Sequence, residues 1–204
     1  MRFLALGDSY TIGEAVASAE RWLEQLAAML RAEGLEADEI EIVAKTGWAT
    51  DELGAAIAVA RPVRPFDLVS LLIGVNNQYR GRSVEEYRGE FRRLLDQALD
   101  FAGGKASRVI VLSIPDWGVT PFADGRDRAQ IGREIDAFNA ANRAEALAAG
   151  ARYVDVTPAS REAATDAGLI ASDGLHPSGA MYRRWAELVL PEAVAEFGPL
   201  DPSP

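Results

Sequence analysis

The sequence alternates between short apolar runs of strand length and longer segments with the residue spacing of helices. This alternation occurs five times, which is typical of a parallel sheet whose strands are connected by helices. The run at residues 68–73 is apolar along almost its whole length, as expected of a central strand buried on both faces. We therefore predict an α/β fold, a three-layer α/β/α sandwich around a parallel sheet of about five strands.

The expected elements cover almost the whole chain. The predicted strands lie at residues 3–6, 40–44, 68–73, 108–113 and 151–156. Apolar residues at helical spacing, or a high alanine content, predict helices at residues 21–31, 50–60, 129–149 and 178–197. Ser83 opens a further helix with a Ser-x-x-Glu capping box, and Gly103 and Gly104 end it. We interpret residues 1–197 as one domain and residues 198–204 as a Pro-rich tail.

The composition disfavours several classes of function. The net charge of −10 disfavours binding to nucleic acids and to anionic membrane surfaces. The chain has no cysteine, which excludes disulfides, thiolate metal sites and a cysteine nucleophile. No run approaches the roughly 18 apolar residues of a membrane span. We expect a cytoplasmic protein without stable membrane association, and the sequence leaves its oligomeric state open.

Ser9 lies where the first predicted strand ends and a helical pattern begins. Open α/β sheets place ligands at this edge, and glycines at positions 7 and 13 let the backbone turn sharply and approach a ligand. A serine on such a turn presents its hydroxyl at the mouth of the sheet, as a nucleophile requires. A serine turn that only caps a helix fits the same residues, and a Gly-Asp-Ser match alone does not separate the two interpretations.

The single histidine of the chain, His176, lies in the sequence Asp-Gly-Leu-His-Pro at residues 173–177. A hydroxyl needs an adjacent base in order to attack at neutral pH, and histidine is the usual base. Asp173 precedes His176 by three residues and can fold back to orient the imidazole and stabilise its protonated form. The alternative is a lone surface or core histidine, but the Asp-x-x-His-Pro setting before a helix favours the catalytic interpretation.

Together, these segments resemble the SGNH (GDSL-type) hydrolases, which use a Ser, a Gly, an Asn and a His from four separated blocks. The corresponding blocks here are residues 7–9, Gly47, residues 74–77 and residues 173–176, in the order of the family. Tyr10 stands where the family commonly has Leu, and Asn77 where it often has Asp. The resemblance implies the flavodoxin-like SGNH hydrolase fold and the activity of a serine esterase.

The resemblance also implies a role for each block. Ser9 attacks the acyl carbon, His176 accepts the serine proton, and Asp173 holds and charge-balances the imidazole. The backbone N–H groups of Ser9 and Gly47 and the side-chain amide of Asn76 form the oxyanion hole. The expected substrate is a small-molecule carboxylic ester, and no cofactor or metal is expected.

The loops at this sheet edge carry aromatic, amide and charged side chains. We expect substrate contacts from Trp48, Asn77, Tyr79 and Trp117. Such side chains suit a small polar ester, for example an acetylated carbohydrate, better than a long acyl chain. Residues 114–126 form an apolar loop that fits either a substrate wall or a lid packed on the core.

Other functions remain open from the residues alone. A lysophospholipase or thioesterase-like acyl hydrolase, or an acyltransferase, would use the same site. A function of a different class is a flavodoxin-like phosphate- or nucleotide-binding module, in which residues 9–14 would cradle a phosphate. That alternative leaves the His176 segment unexplained.

Overall fold

The structure, a computed structural model, describes residues 1–37 and 39–197. The predicted Pro-rich tail at residues 198–204 lies outside the described residues. Within them, five parallel strands form one sheet in the order β2-β1-β3-β4-β5. The strands are β1 (Arg2–Gly7), β2 (Glu39–Ala44), β3 (Leu68–Leu72), β4 (Val109–Leu112) and β5 (Arg152–Val154). The prediction of a parallel sheet of about five strands is confirmed.

Helices connect the strands and cover both faces of the sheet. They are α1 (Ser9–Ile12), α2 (Trp22–Ala32), α3 (Thr50–Ala60), α4 (Val75–Tyr79), α5 (Val84–Phe101), α6 (Arg128–Ala148), α7 (Thr157–Arg161) and α8 (Gly179–Val194). Helix α2 packs against α8 on one face, while α3, α5 and α6 pack together on the other. This arrangement is the expected three-layer α/β/α sandwich.

The central strands explain why the sheet is parallel and buried. Every residue of β3 is buried, and so are residues 3–7 of β1. Because both faces of these strands are covered by helices, an apolar side chain is favoured at each position and the two-residue alternation of a half-exposed strand is absent. Trp22 and Trp185, from α2 and α8, are both fully buried within the same core.

The structure differs from the sequence-based expectation at several element ends. Strand β5 stops at Val154 and not at residue 156, because the N–H of Val156 donates to Oγ of Ser113 at 2.8 Å and leaves the ladder. Residues 114–126 are a loop as expected, but it contains the 3-10 turns Trp117–Val119 and Pro121–Ala123. The short helix α4 was not expected, since five residues are too few for helical periodicity to be visible.

Gly7, the last residue of β1, approaches the next strand closely. A methyl group at this position would overlap the carbonyl oxygen of Leu72 and Oγ1 of Thr11. The Leu72 oxygen belongs to the backbone of β3, so it cannot move aside without disturbing the sheet. Glycine is therefore required here for space.

We predict that Gly7→Ala lowers the free energy of unfolding by about 1–3 kcal/mol, the usual cost of overpacking. Gly89→Ala is the matched control, because Gly89 lies within α5 and an added methyl group would meet nothing within 4 Å. That change should raise stability by about 0.4–1 kcal/mol. Urea denaturation of both variants checks the prediction, and equal effects of the two substitutions would contradict it.

Candidate active site

The strand order reverses between β1 and β3, and the predicted site residues gather at that point. These two strands are neighbours, yet the chain passes from β1 to β2 on one side and from β3 to β4 on the other. Ser9 follows β1, and Asn76 follows β3. In open α/β sheets the crevice beyond the carboxyl ends of the strands at such a reversal is the usual ligand site.

Helix α1 begins directly after β1 and fixes the position of Ser9. Asp8 caps this helix, because its Oδ1 atom accepts a hydrogen bond from the N–H of Tyr10 at 3.0 Å. Ser9 is the first residue of α1, so its own N–H has no partner within the helix. The residue is only 5% exposed, and its exposed surface faces the crevice described below.

A chain of hydrogen bonds links Ser9, His176 and Asp173. The Nε2 atom of His176 lies 2.9 Å from Oγ of Ser9, and its Nδ1 atom lies 2.6 Å from Oδ2 of Asp173. A carboxylate accepts hydrogen bonds, so we assign the proton of the neutral ring to Nδ1. The Nε2 atom is then free to accept the proton of the Ser9 hydroxyl.

The Asp173 carboxyl is held in its ionised form. Partial burial acts to raise its pKa, but it accepts hydrogen bonds from the His176 ring and from the backbone N–H groups of Leu175 and His176. These bonds outweigh the burial, so the pKa of Asp173 lies below its usual value. A carboxylate in this state can stabilise a protonated imidazole.

The carboxyl of Asp8 has the opposite environment. It is fully buried, and its Oδ2 atom has no hydrogen-bond partner within the described residues. Burial raises its pKa to about 7, although the hydrogen bonds from backbone N–H groups act to lower it. The neutral, protonated form is therefore strongly populated in the folded protein near neutral pH.

The Ser9 hydroxyl faces a pocket of about 170 Å³. Its walls are formed by Ser9, Tyr10, Val75, Asn76, Tyr79, Trp117, Phe122, Leu175 and His176. Three of these residues form an aromatic ridge, which we define as Tyr79, Trp117 and Phe122. Their ring centroids are 5.5–6.2 Å apart, and Tyr79 and Phe122 are 46% and 42% exposed.

Asn76 has a free donor at this pocket. Its Nδ2 atom donates one hydrogen bond to the carbonyl oxygen of Trp48 at 2.9 Å, which leaves the second amide hydrogen for another acceptor. Gly47 has φ +84°, and its carbonyl oxygen accepts a hydrogen bond from Nη2 of Arg80 at 2.6 Å. Unlike Ser9 and Asn76, Gly47 does not line the pocket.

A family model matches residues 5–184 of this chain, which is most of its length, and describes the GDSL-like lipase/acylhydrolase family. The chain belongs to this family. It is therefore an ester-bond hydrolase of the GDSL type, as the resemblance implied. The match decides against the alternative of a flavodoxin-like nucleotide-binding module.

Solved structures share the fold of this GDSL-family member. Similar ones include TesA (TM-score 0.70, 21% identity, 96% of this chain and 99% of that chain covered) and the acetylxylan esterase Axe2 from Geobacillus stearothermophilus (0.70, 21%, 94% and 93%). A third is the lipase/acylhydrolase from Enterococcus faecalis (0.68, 20%, 98% and 100%). None of the curated protein sequences matches this chain.

The structure brings some of the predicted substrate residues to the pocket and not others. Tyr79 and Trp117 line it. Asn77 does not: its side chain is fully buried and bonds to Thr50, with Nδ2 2.6 Å from Oγ1 and Oδ1 3.1 Å from the backbone N. Trp48 lines a different groove, between β2 and α3. The structure thus places Asn77 and Trp48 outside the lining of the Ser9 pocket, and their contact with a substrate stays a prediction.

Four pocket residues were not among the predicted site residues. Phe122 lies in the apolar loop at residues 114–126, and each of the other three adjoins a predicted residue in the chain. Tyr10 follows Ser9, Val75 precedes Asn76, and Leu175 precedes His176. The Tyr10 ring packs edge-on against the His176 ring with 5.6 Å between centroids. Adjacency to a site residue was the available signal for all three.

We predict that Asp8 makes stability depend on pH. Because its folded-state pKa is raised, its contribution to stability is fully present below about pH 4 and is lost as the pH rises through about 7. Asp8→Asn cannot ionise, so its free energy of unfolding relative to wild type should increase between pH 4 and pH 8 by on the order of a few kcal/mol. Urea denaturation across this range tests it, and a constant difference between the two proteins would show that Asp8 is already ionised at low pH.

Proposed function

We propose that this GDSL-family protein is a serine esterase that cleaves small carboxylic esters through Ser9, His176 and Asp173. The observation that carries the proposal is the hydrogen-bonded chain from Asp173 through His176 to Ser9, at the edge of a pocket large enough for a small ester. Each member meets the geometric requirement of its role, since a nucleophile and its base need to lie within about 2.6–3.2 Å.

In the first half of the reaction, Oγ of Ser9 attacks the carbonyl carbon of the ester while Nε2 of His176 accepts the hydroxyl proton. The ionised Asp173 stabilises the imidazolium that results. The tetrahedral intermediate collapses when the bond to the alkoxy oxygen breaks, and His176 delivers the proton to that oxygen. The alcohol leaves, and the acyl group remains bound to Ser9.

In the second half, water replaces the alcohol. Nε2 of His176 accepts a proton from the water molecule as the water oxygen attacks the acyl carbon. The bond to Oγ of Ser9 then breaks, the proton returns to Ser9, and the carboxylic acid leaves. No other reactant is consumed, because one water is added and one acid and one alcohol are produced.

Both halves place a negative charge on the former carbonyl oxygen. We propose that the Ser9 N–H, the Gly47 N–H and the free amide hydrogen of Asn76 donate to it. The hydrogen bond between Asn76 and the Trp48 carbonyl supports the role of Asn76, because it fixes the orientation of the amide before substrate binds. The proposed role of Gly47 is based only on its position in the family pattern.

We further propose a short acyl group and a polar alcohol, as in an acetylated carbohydrate. The pocket is small, and the aromatic ridge lies across one side of it. Axe2, whose fold this chain shares, is an acetylxylan esterase, so its substrate is an acetylated carbohydrate. At 21% identity, that likeness shows a shared fold, and an acetylated carbohydrate as the substrate of this chain is our proposal.

Replacing the nucleophile tests the proposal. Ser9→Ala should lower kcat for p-nitrophenyl acetate by about 10⁴-fold or more, because the remaining groups cannot act without the attacking oxygen. Ser18→Ala is the matched control, since Ser18 is exposed in a 3-10 turn, Ser18–Glu20, away from the pocket. Both variants should keep the thermal stability of the wild type. Near-normal activity in Ser9→Ala would refute the assignment.

The role of Asn76 predicts a separate kinetic signature. Asn76→Ala should lower kcat by about 10²–10³-fold with little change in KM, because the amide is used mainly in the transition state. Steady-state kinetics on p-nitrophenyl acetate give both values. A change confined to KM would place Asn76 in ground-state binding.

The size of the pocket predicts the preferred acyl chain. We expect kcat/KM to be highest for the acetyl or butyryl p-nitrophenyl ester and to fall toward the lauryl ester. An acyl methylene contributes about 0.8 kcal/mol only where apolar walls bury it, and a cavity of about 170 Å³ cannot enclose a long chain. A maximum at the lauryl ester would contradict this account of the pocket.

A further inference from the structure

The aromatic ridge separates the Ser9 pocket from a second cavity. That cavity, of about 290 Å³, is lined by Tyr79 and Trp117 from its other side. It adjoins a third cavity of about 410 Å³, with which it shares the lining residues Gln78, Gly81, Gln130 and Glu134. We call the second and third cavities together the distal groove. The groove and the Ser9 pocket are therefore neighbours, with Tyr79 and Trp117 of the ridge lining both.

Hydrogen bonds from the distal groove hold the ridge in place. The indole N–H of Trp117 donates to Oε1 of Gln78 at 2.8 Å, and Nε2 of Gln78 donates to Oε2 of Glu134 at 2.7 Å. Gln130 completes the chain by donating to Oε1 of Glu134 at 2.7 Å. Gln78 is only 6% exposed, so its bond to the Trp117 indole is shielded from water, whereas Gln130 at the other end of the chain is exposed. A ridge fixed in this way binds a ligand without the entropic cost of ordering its own side chains.

Two arginines of the distal groove have N–H donors available for a ligand. Arg126 lies above all three rings of the ridge, 5.2–5.5 Å from their centroids, and its Nη2 atom donates to the Tyr79 hydroxyl at 3.2 Å. Arg133 lies further along the groove and is exposed. Among residues 1–37 and 39–197, neither arginine forms an ion pair. Asp127 and Glu134 lie beside them, so the groove carries charges of both signs.

The aromatic rings, arginines and carboxylates of the distal groove together favour one class of ligand over others. An acyl chain would bury the guanidinium and amide groups without giving them partners, which costs free energy for each unpaired group. A polyanion is disfavoured by the net charge of −10 and by the carboxylates in the groove. A neutral sugar chain fits both features, because its hydroxyl groups donate and accept while its apolar ring faces pack on exposed aromatic rings.

We propose that the distal groove binds the sugar chain of a neutral acetylated oligosaccharide, with the acetylated ring at Ser9 and the following rings across the aromatic ridge. The inference deepens the proposed function and rests on it. It predicts that the enzyme prefers an acetyl ester on a chain of several rings to the same ester on a single ring.

The test measures kcat/KM for β-1,4-linked oligosaccharides of one to four rings, each with a single acetyl ester on its terminal ring. Wild type should gain on the order of tenfold from one ring to four, which corresponds to one or two net hydrogen bonds. The double variant Gln130→Ala/Arg133→Ala should lose this gain. Gln97→Ala is the control, because Gln97 is an exposed glutamine on α5 that does not line the groove, and it should keep the gain.

The outcomes separate this inference from the proposed function. Turnover of p-nitrophenyl acetate without any gain in kcat/KM from added rings would overturn the proposal that the groove binds sugar, and would leave the proposed esterase activity standing. A gain that persists in the double variant would overturn the assignment of these residues, and a gain seen only with acidic oligosaccharides at low salt would overturn the neutral ligand. If wild type hydrolyses no ester, the proposed function fails. Titration with the unacetylated tetrasaccharide, followed by tryptophan fluorescence, then tests sugar binding in the groove by itself. Quenching supports binding, and no change in fluorescence overturns it.

Discussion

The hydrogen bond between Nε2 of His176 and Oγ of Ser9 joins residues 167 positions apart, and the candidate site depends on it. One partner is fixed by the sheet, because Ser9 follows β1 directly. The other is fixed by a closed loop, in which the N–H of Ala171 donates to the His176 carbonyl at 2.8 Å and residues 170 and 177 form an antiparallel bridge. A displacement of about 1 Å at either end is enough to lower a rate by about 100-fold. The rigidity of both supports is therefore a condition of the chemistry.

The wall of the pocket and the loop that carries His176 support each other. The N–H of Phe122 donates to the carbonyl of Gly174 at 3.0 Å, which ties the aromatic ridge to the His176 loop. At the base of the wall, the buried carboxylate of Asp116 pairs with Arg161 at 2.9 Å. Because these contacts hold both features, the shape of the pocket and the position of the imidazole are set together. A change in the wall is thus expected to alter the position of the base as well as the fit of the substrate.

Much of the fold could be predicted from the sequence, because its signals are local. Apolar runs buried on both faces predict β1 and β3, and the four separated blocks lie where parallel strands end at one edge. The side-chain directions within α4 could not be predicted. Consecutive residues of a helix point about 100° apart, so Asn76 faces the pocket while Asn77 faces Thr50. The bond between Gln78 and Trp117, 39 residues apart, likewise depends on how α4 and the wall pack, which no local pattern encodes.

The central claim is that Ser9 is the nucleophile and that His176 activates it. Labelling with a fluorophosphonate, followed by peptide mass spectrometry, tests this most directly, because the reagent reacts with a serine only when its hydroxyl is activated by a base. The account predicts one phosphonyl group per chain on the peptide that contains Ser9, with loss of esterase activity in parallel, and much slower labelling in His176→Gln. Labelling of a different serine, or complete inactivation while Ser9 stays unmodified, would contradict it.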